Sequence, residues 1–329
     1  MGAQPPDRRA LMGGLAALGA VAPGVSPLAA RAAIVEIGQS ASRLQSIPDP
    51  LGPPSNYEPP TRLTAVLDIY KRMTGAVLVG SAGPYQFVAD TGANQSVIST
   101  ELAAKLALPL GEPQPLNGVA GMQMTPTVKA RLQIGNRAAR DATLSVLGAD
   151  AIGGPGMLGL DLLDGGQLTF DFHHQTLTID SGAFLPGDGD VVALKAHRRD
   201  GQLTLVDADL AGIRVTAFLD SGAQDTIGNM ALRDLAITRY PLASFQPIPN
   251  VSVTGQTIDA VFADLPGLRI GGLSVPNWPV AFADLHTFKL WNLVDRPAIL
   301  IGVDILSRFE TVCLDFRRDE VRLRLPAHG

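Results

Sequence analysis

The sequence is poor in the residues that most enzyme chemistries depend on. Of 329 residues one is cysteine, Cys313, and five are histidine. A single thiol cannot close an internal disulfide or build a cysteine-rich zinc or iron–sulfur site. The histidines show no HExxH or other ligand spacing, and His173-His174 falls in an expected hairpin turn. No Gly-x-Ser-x-Gly elbow for serine chemistry is present. Only 17% of residues are charged and 5% aromatic, with a formal net charge of −5. That balance excludes the basic footprint of a general nucleic-acid binder. No apolar run reaches the roughly 20 residues of a membrane-spanning helix. What the chain has in excess is glycine (35) and proline (25), about 18% together, against about 12% in an average chain. Its length allows two domains rich in strands and turns.

The N-terminus reads as an address. Arg8-Arg9 precede a short, Gly/Ala-diluted apolar stretch, and Ala30-x-Ala32 offers small residues at signal-peptidase spacing. This pattern resembles a twin-arginine export signal over residues 1–32, implying a periplasmic or secreted protein. Residues 33–61 are a Pro-rich leader, whose run from Ile47 to Pro60 suits neither helix nor ladder.

From there the chain repeats itself. Phe87-Val88-Ala89-Asp90-Thr91-Gly92-Ala93 is matched by Ala217-Phe218-Leu219-Asp220-Ser221-Gly222-Ala223, and in each copy a second hydroxyl (Ser96, Thr226) follows six residues after the Asp. Downstream, Leu158-Gly159-Leu160-Asp161 answers Ile301-Gly302-Val303-Asp304. Leu168-Thr169-Phe170-Asp171-Phe172 answers Val312-Cys313-Leu314-Asp315-Phe316, each alternating as a half-buried strand should. Gly159 follows Asp90 by 69 residues and Gly302 follows Asp220 by 82, so the copies differ mainly in loops. Helices are expected from near Thr100 to Leu108, stopped by Pro109, and after Asn229. The linker at 181–190 divides the chain into lobes at 62–188 and 189–329. Its Asp188 and Asp190 lack the later ligands of a calcium loop.

Two Asp-Thr/Ser-Gly-Ala motifs, each ending a strand and each followed by an apolar-Gly element, resemble the retropepsin-like aspartic proteases in a single-chain duplicated form. The resemblance covers roughly residues 62–325. It implies a mostly β, bilobal pepsin/retropepsin-like acid protease fold of two homologous β-barrel-like lobes with short helices. It further implies that Asp90 and Asp220 form a catalytic dyad, with Thr91, Gly92, Ser221 and Gly222 supporting the loops. Two carboxylates about 3 Å apart cannot both ionise and share a proton, so the reaction calls for no metal and no cofactor. The partner is then a protein or peptide substrate in extended conformation, and a monomer suffices because one chain holds both aspartates. Flaps are expected around Gly118 and Gly121 in the first copy and around Gly255 in the second. Ala93 and Ala223 replace the hydroxyl found after the Gly in the pepsin pattern; the lost donor raises the dyad's expected pKa values and points to mildly acidic activity. The alternative is a catalytically inactive peptide-binding or regulatory module of the same fold.

Gly154-Pro155-Gly156-Met157-Leu158-Gly159 also fits a dinucleotide fingerprint, but Gly165-Gly166 would end the long helix that such a site requires. Trp278 and Trp291 are expected to pack a loop.

Overall fold

The computed structural model describes residues 60–118, 121–164, 166–180, 191–199, 202–205, 208–251 and 257–326, with the backbone of 36–37 and 43–44. The export signal, most of the leader, the 181–190 linker and Gly255 lie outside the described residues.

Two short strands, β1 (Glu36–Ile37) and β2 (Arg43–Leu44), come first. The first half then runs β3 (Thr61–Leu67), β4 (Met73–Val79), β5 (Ala82–Ala89), β6 (Val97–Ser99), α1 (Thr100–Lys105), β7 (Leu110–Gly118), β8 (Gly121–Ile134), β9 (Arg137–Leu147), α2 (Ala149–Ile152), β10 (Gly156–Leu158), α3 (Leu160–Leu163), β11 (Gln167–Asp171) and β12 (Thr176–Asp180). The second half runs β13 (Val191–Arg199), β14 (Gln202–Leu205), β15 (Ala208–Leu210), β16 (Ile213–Arg214), β17 (Thr216–Leu219), β18 (Ile227–Gly228), α4 (Met230–Arg239), β19 (Phe245–Val251), β20 (Thr257–Ile270), β21 (Leu273–Ala283), α5 (His286–Leu290), β22 (Ala298–Ile301), α6 (Val303–Leu306), β23 (Thr311–Asp315) and β24 (Glu320–Arg324). The protein is mostly β with small helices, as a pepsin/retropepsin-like fold requires.

The pairing in one half recurs in the other. β5 pairs in parallel with β10, as β17 does with β22. β6 lies antiparallel to β10 and parallel to β9; β18 does the same with β22 and β21. The halves meet where β11 pairs antiparallel with β23, Leu168 opposite Leu314. Extended by β12 and β3 on one side and by β24, β13 and the short β2 on the other, this makes a sheet that both halves share. One apolar cluster is continuous through it, from Leu63, Leu168 and Phe170 to Val312, Leu314 and Leu323.

Two local expectations need correction. β23 does not alternate: four of its five residues are buried, because it sits at the centre of the shared sheet with both faces covered. On one face Asp315, wholly buried, gathers Gln167 Nε2 (2.7 Å), Arg318 Nη1 (2.8 Å) and the buried Arg322. Cys313 is buried on that same face, and burial pushes its thiol up to about 11. Secondly, α1 is capped by Ser99 rather than Thr100, Ser99 Oγ accepting from Leu102 N at 3.0 Å, and it ends at Lys105, short of Pro109. Asn229 caps α4 by accepting from Leu232 N at 2.9 Å.

Candidate active site

Each Asp-hydroxyl-Gly tripeptide continues a buried strand. β5 carries Phe87, Val88 and Ala89 with no exposure above 1%, and β17 carries Ala217, Phe218 and Leu219, all buried. The parallel ladder runs one residue past each strand: Asp90 N donates to Leu158 O (2.9 Å) and Asp220 N to Ile301 O (3.0 Å). The chain then turns back on the carboxylate. Gly92 N and Ala93 N donate to Asp90 Oδ1 at 2.7 and 3.2 Å; Gly222 N and Ala223 N donate to Asp220 Oδ1 at 2.9 and 3.1 Å.

The two turns are locked together by four reciprocal bonds. Thr91 Oγ1 donates to Leu219 O (2.7 Å) and accepts from Ser221 N (3.0 Å). Ser221 Oγ donates to Ala89 O (2.8 Å) and accepts from Thr91 N (3.1 Å). Both hydroxyls are buried, so losing either would leave backbone groups of the opposite half unpaired.

This lock sets the carboxylates face to face. A Cβ added to Gly92 would lie 2.5 Å from Asp220 Cγ, and one on Gly222 would collide in the same way with Asp90 Cγ. Each glycine is therefore required by the close approach of the other half's aspartate. Asp90 is 7% exposed and Asp220 8%, and the two side chains are hydrogen-bonded to each other. Burial raises both carboxyls. Asp220 rises further, because the neighbouring Asp90 charge and its hydrogen bond add to burial. Around Asp90 the loop amides and the nearby Arg72 charge offset part of the rise.

Behind the turns, the apolar-Gly elements hold the loops. A Cβ on Gly159 would meet Gln95 and Ala93 backbone atoms at 2.8–3.0 Å, and one on Gly302 would meet Asp225 and Ala223 at 2.7–3.0 Å. Leu160 N and Val303 N donate to Ala93 O and Ala223 O. Residues without an assigned role in the sequence complete this shell. Ser96 Oγ accepts from Gly159 N (2.9 Å) and donates to Asp161 (2.6 Å). Thr226 Oγ1 accepts from Gly302 N (3.1 Å) and donates to Asp304 (2.7 Å). The signal was legible: hydroxyl and Asp recur at matching places in both copies.

The flap positions divide. Gly118 and Gly121 pair at the end of the β7–β8 hairpin, whose β8 presents Met122 and Met124, 55% and 58% exposed. Gly255 falls between β19 and β20, outside the described residues.

Gly156–Leu158 is a strand and the helix after Gly159 has four residues, so there is no dinucleotide helix. His173 and His174 are exposed turn residues, and no metal-binding group of His, Cys, Asp and Glu occurs among the described residues. No described helix is long and apolar enough to cross a membrane. Trp291 stacks on Phe218 at 3.9 Å. Trp278 does more than pack: its Nε1 donates to Asp304 Oδ2 (2.9 Å), and it helps line a cavity of about 1140 Å³ with Tyr70, Gln224, Asp225, Asp304 and Arg308. The cavity does not include Asp90 or Asp220; it opens beside the loop that follows Asp220. Within it Asp225 is pushed up to about 7, by burial first and by the Asp304 charge second.

No curated protein matches the chain. Residues 77–165 match a family model described as "gag-polyprotein putative aspartyl protease". The match begins within β4 and takes in the Asp90 turn, the β7–β8 hairpin and the Gly159 element, so over this stretch the chain is similar to that protease family.

Proposed function

We propose that the chain is a monomeric aspartic endopeptidase, with Asp90 and Asp220 as its dyad and residues 62–188 and 189–329 as its two lobes. The observation that carries this reading is the hydrogen-bonded, face-to-face pairing of two buried carboxyls by the reciprocal Thr91–Ser221 lock. Such a pair shares one proton, because two like charges this close cannot both form. The ionised carboxyl takes a proton from a water as its oxygen bonds to the scissile carbonyl carbon, and the protonated carboxyl gives its proton to the carbonyl oxygen. In collapse, the first carboxyl returns its proton to the leaving nitrogen as the C–N bond breaks. The second recovers a proton from the diol. Neither a covalent intermediate nor a metal enters the balance.

The substrate lies extended between the lobes, under the β7–β8 hairpin and its counterpart from β19 and β20, its side chains alternating between pockets. The Arg8-Arg9 signal directs the protein out of the cytoplasm; replacing both arginines by lysine and following it by cell fractionation checks this. The test of function is hydrolysis of an unfolded protein or a peptide library across pH 3–8. Wild type should cleave with a mildly acidic optimum, while D90N and D220N should lose on the order of 10³-fold or more. Equal silence of all three proteins, or a maximum below about pH 3, counts against the reading.

A further inference from the structure

The halves differ in charge at one buried position beside the dyad. β4 and β5 pair with Thr74 opposite Val88; carried on two residues, this register sets Arg72 opposite Asp90. β14 and β17 pair with Thr204 opposite Phe218, and the same extension sets Gln202 opposite Asp220. Arg72 is 0% exposed and Gln202 4%. A permanent cation thus flanks one aspartate where a neutral amide flanks the other.

Their bonding differs as well. Gln202 Nε2 donates to Gly92 O at 2.7 Å, a bond from the second half to the first half's turn. Arg72 stays within its own half: Nε donates to Asp68 (2.7 Å), Nη2 to Asp68 and to Ile152 O (3.2 Å). Nη1 is buried with no hydrogen-bond partner. Asp68 therefore offsets part of a charge that is still felt in a dry surrounding. The groups around Asp90 are Asp220, Arg72 with Asp68 behind it, and the Gly92 and Ala93 amides. Around Asp220 stand Asp90 and the Gly222 and Ala223 amides, with Gln202 in place of the cation. A cation beside one of two coupled carboxyls favours the anion there.

We propose that Arg72, with Gln202 as its uncharged counterpart, breaks the symmetry of the dyad. Asp90 is the ionised member that takes the proton from water, and Asp220 is the protonated member that donates to the carbonyl oxygen. Arg72 is a positioning residue: it acts on Asp90 and touches no substrate. The catalytic roles rest on the protease reading; the charge distribution does not.

The experiment is a carboxyl-¹³C NMR titration of the full chain labelled at aspartate, with D90N and D220N used to assign the pair. In wild type the lower step should belong to Asp90. R72Q should raise that step by about one pH unit or more, R72K should leave it within a few tenths, and D68N, which removes the counter-charge, should lower it. A lower step on Asp220, or a lower step unmoved in folded R72Q, overturns the proposal. Should R72Q fail to fold, D68N and R72K decide: no downward shift in D68N overturns it equally. The acid limb of kcat/KM for peptide hydrolysis should follow the same order, whereas a purely structural role would lower the amplitude and leave the limb in place. Titration as expected with no hydrolysis would sink the protease reading alone; hydrolysis with an unmoved limb would sink this one alone.

Discussion

The two halves share a plan of strands and differ in what surrounds it. At the dyad they are near mirror images: each turn folds two amides onto its own aspartate, and each hydroxyl reaches the other half's backbone. A layer away they diverge. The turn after β11 rests on Asp171, whose carboxylate meets an exposed His174 at 2.9 Å. The turn after β23 rests on Asp315, sealed beneath Arg318 and Arg322. Position 95 is a glutamine where position 225 is an aspartate. Both carboxyls meet at one point, which calls for symmetry there; the layer behind is free to vary, with buried charge at Arg72 in the first half and at Asp315 and Arg322 in the second.

The sharpest way to break the mirror is at its glycines. G92A and G222A each place a methyl against the opposite carboxyl group, a side chain that the amides of its own turn hold in place. Both should reduce peptide hydrolysis by on the order of 10²-fold or more, since a misplacement of about 1 Å has that cost. The two variants should fall together. If one retained near-full activity, the carboxyls would not depend equally on both turns, and the mirror would fail at its centre.

The next effect should be large in one half and small in the other. D315N takes from Arg322, itself 1% exposed, its nearest counter-charge and leaves it Glu320 at 3.6 Å. Breaking a buried pair in this way costs about 3–5 kcal/mol. D171N removes a partner of a histidine whose side chain is 66% exposed, and should cost about 0–1 kcal/mol. Urea denaturation of both variants at one pH measures the difference. Equal losses would mean that the buried network contributes no more than a surface pair.

Much of this was legible in the chain because the dyad turns are local and the repeat doubles every signal: strand, Asp, hydroxyl, Gly, Ala, and the later apolar-Gly. The alternation of Leu168 to Phe172 likewise announced a strand. What could not be read was the consequence of long-range pairing. Nothing local in Val312-Cys313-Leu314 says that β23 lies at the centre of a shared sheet, so half-burial was the natural expectation and burial on both faces the outcome. The shell role of Ser96 and Thr226 was visible as a recurrence, but its meaning depends on Gly159 and Gly302 arriving from over 60 residues away. Arg72 and Gln202 share no residue type, and only strand register aligns them.

A pH-dependent difference should follow from position 225. The Asp225 carboxyl is raised to about 7 from an ordinary value near 3.8. An acid whose folded pKa is raised binds its proton more tightly in the folded state, so its contribution favours folding at low pH and is lost as pH rises from about 4 towards 7. Replacing it with the first half's residue, D225Q, should therefore add stability at pH 8, by about 1–3 kcal/mol. The gain should vanish below pH 4, where Asp225 is neutral in both states. Thermal unfolding at pH 4 and pH 8 checks this; an equal gain at both values would trace the effect to packing rather than charge.

The smallest expected difference lies in the hydroxyls behind the turns. Ser96 Oγ and Thr226 Oγ1 make the same two bonds, yet their carboxylate partners are not alike. Asp161 is exposed and free to be rehydrated, whereas Asp304 is held by Trp278 Nε1 and Thr226 N in addition to the hydroxyl. T226A therefore strips one of several donors from a half-buried carboxylate, whose pKa burial already raises. S96A strips one from a carboxylate that water can satisfy. With a typical bond contributing about 1 kcal/mol and an unsatisfied buried partner costing about 1–3, T226A should be the more damaging by about 1 kcal/mol. The amide of Gly302 or Gly159 loses its acceptor in either variant, so that part cancels between them. Denaturation of the two variants side by side, with T226S to separate the methyl from the hydroxyl, measures what remains. Should S96A prove the worse, the second half's extra contacts to Asp304 would already compensate for the lost hydroxyl, and Trp278 would be the residue to remove next.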